Sequence, residues 1–438
     1  MDRTRRGDTA GVPRRTFLKA AGAVAVGASG IPGIVRAGQA PAYAKGTRLH
    51  LVERANFIKT ADKMILAQAA EFGKLMGVEV MVERISQNDV MPRATAAIAA
   101  QTGPDIIRVM DNYPHLLANG LVDVSDVAEE VGKAQGGYPD IFKVNAHVGN
   151  RWLGVPHGAL VNTMNYREDW FREVGYDKFP DTYEELRDAG KKLKAKGHPI
   201  GQAFSHSVND PNSWCYSMTW AYGAYEVEKD GKTVALDKKG TLEALKLNTA
   251  MWKDCFDEGG LSWDDTSNNR AFLAEAVSAT ANAASVYFNA KEKFPELAKN
   301  MNHGPIPRGP AGRFYYVSTH HSAIMKYSKN QKLAKEFIRW FMDKNQFEPY
   351  FLSQELWMIP PTNLWYSHPF WTKDPKLTIY RDTVKAARHL GYAGAPNAKA
   401  TEALAKYVLV DMYTKAIQGT PPEEALKWAT AELKKVYA

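Results

Sequence analysis

Cysteine is almost absent: Cys215 and Cys255 are the two in 438 residues. A disulfide-stapled scaffold is excluded, and the N-terminal region has no thiol to carry a lipid. One bridge or two reduced, buried thiols both remain open, since both cysteines fall in segments that read as helical. No run of 18 apolar residues occurs, so a polytopic membrane protein is excluded. Beyond the first 44 residues the chain also lacks His-Glu-x-x-His, Gly-x-Ser-x-Gly, Cys-x-x-Cys and the phosphate-loop glycine pattern. The common metal, nucleophilic, redox and nucleotide chemistries therefore have no signature here. His320-His321 is the one adjacent histidine pair, and neighbours in a strand face opposite sides, which disfavours a shared metal. Asp264-Asp265, beside Thr266 and Ser267, reads as a helix cap. No repeat or low-complexity tract stands out.

Excess charge is also scarcer than it first looks. The chain carries 56 Lys+Arg against 48 Asp+Glu, a net +8. Seven of those cations and two of those acids lie in residues 1–44, leaving 49 against 46, or +3. Without a long basic run, a nucleic-acid partner is excluded.

Residues 13–19 read Pro-Arg-Arg-Thr-Phe-Leu-Lys and precede an Ala/Gly-rich, mildly apolar run over 20–30. That pattern predicts a twin-arginine export signal spanning residues 1–44, with Ala42-Tyr43-Ala44 fitting the cleavage rule and cleavage after Ala37 or Ala40 as the rival reading. The expected product is a soluble, unanchored periplasmic protein of a two-membrane bacterium.

The remaining chain alternates strand and helix. Residues 49–52 form an apolar run; Ile65, Ala69, Phe72 and Met76 recur at helical spacing before Gly77; Val78, Val80 and Val82 alternate; 91–100 is helical, Gly103-Pro104 breaks it, and 106–110 is a third strand. Short strand–helix–strand connections imply an α/β fold with a largely parallel sheet. Farther on, Thr182 to Glu185 and Ser328 to Gln331 read as capping boxes. Helices are expected over 213–225 and 241–256, and the last helix is expected to open at Thr420-Pro421-Pro422-Glu423.

Five segments carry a resemblance. Ala100-Gln101-Thr102-Gly103-Pro104-Asp105-Ile106-Ile107, Leu117 to Asp123, Trp152-Leu153-Gly154-Val155-Pro156, the stretch from Met164 through Pro180 to Leu186, and Ser328 to Ile338 resemble, in order, motifs of the family 1 extracellular solute-binding proteins. These serve ATP-binding-cassette importers, mostly for carbohydrates. One departure is Arg167, where the family usually has Asn. The resemblance implies a two-lobed periplasmic binding protein fold of type II with a ligand cleft between lobes. Crossings are placed near 157–162, 314–322 and 360–366. Lobe 1 is expected at 45–158 plus 322–362, lobe 2 at 159–317 plus 366–438. It further implies a monomer that captures a sugar or oligosaccharide, hands it to an inner-membrane permease, and needs no enzyme activity, cofactor or metal.

Saccharides are read by aromatic faces and by planar amide, carboxylate and guanidinium groups, and in open α/β sheets these gather at the carboxyl ends of strands. The candidates are Asn56, Asp111, Asn112, His157, Asn162, Trp214, Asn269, Arg270, Asn282, Tyr287, Trp357 and Asn397. Arg54, Arg270 and His157 in the cleft would favour an anionic solute, and a surplus of Asp and Glu a cationic one. An exported lyase or glycosidase would instead need two carboxylates at catalytic separation or a base with a raised pKa.

Overall fold

The first strand, β1 (Arg48–Arg54), buries Leu49, Leu51 and Val52, and helix α1 (Lys59–Met76) covers it with Ile65, Ala69, Phe72 and Met76. Gly77 ends α1 with φ 67°, donating its N–H to the Gly73 carbonyl, a left-handed stop that a glycine adopts without Cβ strain. The chain then alternates through β2 (Glu79–Ile85), α2 (Val90–Ala100) and β3 (Ile106–Met110). This computed structural model describes residues 43–438. The export signal expected over 1–44 lies outside them, apart from its last two positions.

After a small hairpin of β4 (His147–Val148) and β5 (Arg151–Trp152) come β6 (Val155–Val161) and β7 (Thr163–Arg167). The remaining strands are β8 (Ala279–Asn282), β9 (Met301–Gly304), β10 (Tyr315–Ile324) and β11 (Ala387–Arg388). One sheet has the order β11-β10-β3-β1-β2, with β6 also pairing β10; a second has the order β8-β7-β9. β1 runs parallel to β2 and β3, as the short crossovers require. The sheet is nevertheless mixed rather than largely parallel, because β10 arrives from the far side of the chain and runs antiparallel to both β3 and β6. Asn162 alone separates β6 of the first sheet from β7 of the second.

The capping box at Thr182 is present, with the Glu185 N–H donating to the threonine hydroxyl at 3.1 Å. The one expected at Ser328 is not. That helix spans Gln331–Met342, and Ser328 instead donates to Asp105 at 2.6 Å and accepts the Asn330 N–H at 3.0 Å, tying a loop to the sheet. The helix expected over 213–225 occupies Asp210–Ala221, because Pro211 opens it and Gly223, at φ 75°, ends it. The last helix starts at Pro422 with no side-chain cap. Helices Gln331–Met342 and Lys344–Ser353 pack on α1, whereas Val408–Ile417 packs on Asp210–Ala221 and Lys239–Asp254. Cys215 and Cys255 are free and buried. Among the described residues no helix is long and apolar enough to cross a membrane, and no His/Cys/Asp/Glu group could hold a metal ion.

Candidate ligand-binding site

The strands of the first sheet turn polar at their carboxyl ends while staying buried: Glu53 and Arg54 finish β1, and Asp111 and Asn112 follow β3. Buried polar atoms are costly unless paired, so their partners define the site. Glu53 is paired: Arg108 donates to it at 2.5 Å and to the Tyr350 hydroxyl at 3.2 Å, its guanidinium lying 4.6 Å over the Phe341 ring. Arg54, 4% exposed, lies 3.9 Å over the Trp357 ring and donates through Nη1 to Gln87 at 3.0 Å, leaving Nη2 unpartnered. Burial lowers its pKa to about 9.

Asp111 takes a left-handed conformation, φ 49°, and donates its N–H to the Thr319 carbonyl at 2.7 Å. Burial raises its carboxyl to about 7, against the opposing pull of the Ser318 and Tyr316 hydroxyls and Arg54; its Oδ2 makes no hydrogen bond. Asn112 donates to the Asn397 carbonyl at 3.2 Å and keeps Oδ1 free. On β6 and β10, His157 meets the Ser322 hydroxyl at 3.3 Å and the His320 ring edge-on, with centroids 6.0 Å apart. Burial, then neighbouring cations, push both histidines well below their ordinary pKa, so they are neutral at pH 7. The His320 Nε2 has no partner.

The opposite wall is built on Asp210, at the start of its helix. The amides of Asn162, Asn209, Asn268 and Asn282 donate to its two carboxylate oxygens at 2.8–3.2 Å. Asn282 also donates to Asn269, and Asn162 Oδ1 is left free. Asp265 accepts the Asp210 N–H at 2.8 Å and an amide hydrogen of Gln87. Burial holds both above the usual carboxylate range, with Asp265 adding to the rise at Asp210 and Asp264 to the rise at Asp265. Gln87 therefore links Arg54 on one side to Asp265 on the other. A cavity of about 170 Å³ opens here, lined by Phe57, Gln87, Asn88, Ser207 and Asp265. Phe57 also walls a groove of about 510 Å³ with Lys59, Lys63, Phe288 and Lys291.

The structure thus gathers Asp111, Asn112, His157, Asn162, Asn269, Asn282 and Trp357. It places the other candidates elsewhere. Trp214 is 0% exposed, wedged against Tyr183 and Phe256 with its indole N–H on Asn248 at 2.9 Å, so it is core and no stacking platform. Arg270 is exposed and folds back on Thr266 and Ser267 of its own helix. Asn56 spends its amide on Asp62 at 2.8 Å, and Tyr287 its hydroxyl on Asp374 at 2.7 Å. Asn397 caps helix Ala398–Ala405, so only its carbonyl reaches the cluster. Sequence reasoning missed Gln87, Asp210, Asn268 and His320 as members. Charged residues ending an otherwise buried strand were a usable signal for Arg54; nothing local marked Gln87.

The family model of bacterial extracellular solute-binding proteins matches residues 67–379. The chain belongs to this family. A Brucella abortus binding protein is 24% identical over 273 residues, covering 61% of this chain and 66% of that protein's own length. Among solved structures, a sugar transporter protein from Arthrobacter chlorophenolicus with bound laminaribiose superimposes with TM-score 0.78 at 17% identity, covering 89% of this chain and 99% of that one. An ABC transporter solute-binding protein from Agrobacterium radiobacter in complex with ribitol gives 0.75 at 18%, with 89% and 99% covered. The fold is accordingly the two-lobed α/β fold of this family, and the polar cluster lies where its two sheets are joined.

Proposed function

We propose that this protein is the periplasmic substrate-binding component of an ATP-binding-cassette importer, which captures a sugar, oligosaccharide or related polyol by lobe closure and delivers it unaltered to a membrane permease. The observation that carries this reading is the set of unspent polar atoms in one buried cluster: Arg54 Nη2, Asp111 Oδ2, Asn112 Oδ1, Asn162 Oδ1 and His320 Nε2. Acceptors that outnumber donors suit a ligand rich in hydroxyls. The packing of 331–353 on α1 and of 408–437 on the helices at 210–254 supports lobe 1 as 45–158 plus 322–362 and lobe 2 as 159–317 plus 366–438. The protein acts as a monomer, exported by the twin-arginine route.

Capture rather than catalysis is favoured by the family, whose model matches residues 67–379; Asp111, with its carboxyl raised to about 7 and Oδ2 free, is the group a catalytic reading would use. The test is a saccharide and polyol panel read by thermal denaturation, followed by mass spectrometry of the recovered ligand. A ligand at about 100 times its Kd adds about 2.7 kcal/mol to stability and comes back unchanged. A panel without any shift, or a ligand consumed during incubation, overturns the proposal.

A further inference from the structure

Four carboxyls line the cluster, and Glu53, Asp265 and Asp111 act on Arg54 through space, yet none is hydrogen-bonded to it. Glu53 is held by Arg108, Asp210 by four amides, and Asp265 by backbone N–H groups and Gln87. Asp111 aims no oxygen at the guanidinium within hydrogen-bonding distance. Among the described residues Arg54 therefore has no ion-pair partner, although it is buried, 4% exposed. A buried guanidinium held by one neutral amide is expensive unless a ligand supplies the anion. Its position is also fixed in advance: the plane rests on Trp357, 3.9 Å away, and Gln87 restrains Nη1.

Two further observations bear on ligand size and charge. Trp357 offers little to a long oligosaccharide, because Arg54 covers its ring and Phe57 meets it edge-on at 5.5 Å. Trp214 is in the core. In the neighbouring groove walled by Phe57, Lys59, Lys63 and Lys293 have no ion-pair partner among the described residues and outnumber Glu292 and Glu355, a balance that attracts anions to this side of the protein.

We infer that the ligand is an acidic polyol, a sugar acid, whose carboxylate pairs with Arg54 while its hydroxyls donate to Asp111, Asn112 and Asn162. This inference rests on the solute-binding reading and narrows it.

The test measures binding of matched pairs to the purified protein by calorimetry: glucose against glucuronate, galactose against galacturonate, sorbitol against gluconate. The expected result is at least one acidic member bound more than tenfold tighter than its neutral partner, with affinity falling as sodium chloride is raised. Arg54→Met is expected to erase that preference and Arg54→Lys to retain part of it. Should Arg54→Met not fold, the wild-type pairs and their salt dependence decide alone. A neutral member bound as tightly as its acid, or a preference that survives in Arg54→Met, overturns the inference and leaves the solute-binding reading standing. Silence from both halves of the panel overturns the inference together with the saccharide reading.

Discussion

Asp111 shows how one buried group can tie stability to pH. Its carboxyl is raised from 3.8 to about 7, chiefly by burial, among Ser318, Tyr316, Arg54 and Tyr113. The folded state thus holds this proton more tightly than the unfolded chain does. The resulting stability is fully present below about pH 4 and is lost as pH rises through about 7, at roughly 1.4 kcal/mol per unit at most. Asp111→Asn removes the charge and keeps a residue that tolerates φ 49°. It is expected to raise the Tm at about pH 8 and leave it unchanged at about pH 4, read by thermal denaturation. An equal effect at both pH values would contradict the assignment. Trp214 makes the opposite case, a large aromatic that does no binding. Trp214→Ala is expected to cost about 3–5 kcal/mol in urea denaturation, whereas a ligand platform would lose affinity with its stability largely intact.

At the scale of the element, what the sequence makes legible is periodicity, and what it hides is phase and long-range pairing. β1, α1 and β3 follow directly from apolar spacing and the Gly77 stop, and the Thr182 cap from its Glu185 partner. Thr182→Ala is expected to destabilise the protein by about 1 kcal/mol, measured by urea denaturation, because the Glu185 N–H loses its acceptor. Helix Ser267–Leu273 shows the limit. Asn269 and Arg270 were readable as polar candidates, but seven residues do not reveal which face is inward. Asn268 points to Asp210, while Arg270, two residues on and about 200° around the helix, points to solvent. Ser328 failed differently, because Asp105, distant in sequence, recruits its hydroxyl away from the helix. The candidate site was legible where a polar residue ends a strand, as at Asp111 and Asn112. It was not legible where contacts come from opposite halves of the chain, as for Gln87 and Asp265.

Across the whole molecule, the proposed lobes touch through apolar packing, of Ala398–Ala405 on Tyr113–Leu116 and of Phe288 and Ala283 with Ile58 and Trp357, and through polar contacts. Gln87 donates to Asp265, the Val208 N–H to Asn88 at 3.3 Å, Asn112 to the Asn397 carbonyl at 3.2 Å, and the Thr401 hydroxyl to the Asn112 carbonyl at 3.2 Å. Each such bond is worth about 0.5–1.5 kcal/mol net and adds to what the apolar packing contributes to closure. Ligand bridging the two walls then supplies the differential affinity that completes the shift. Gln87 is the most informative of these contacts, since it also steadies Arg54. Gln87→Ala is expected to raise the ligand Kd by up to about tenfold, mainly through faster dissociation in stopped-flow traces, because an open lobe pair releases its ligand sooner. Small-angle scattering should show a larger radius of gyration for unliganded Gln87→Ala than for the unliganded parent, and equal radii once both are saturated. Equal radii before saturation would mean that this contact does not help to hold the lobes together.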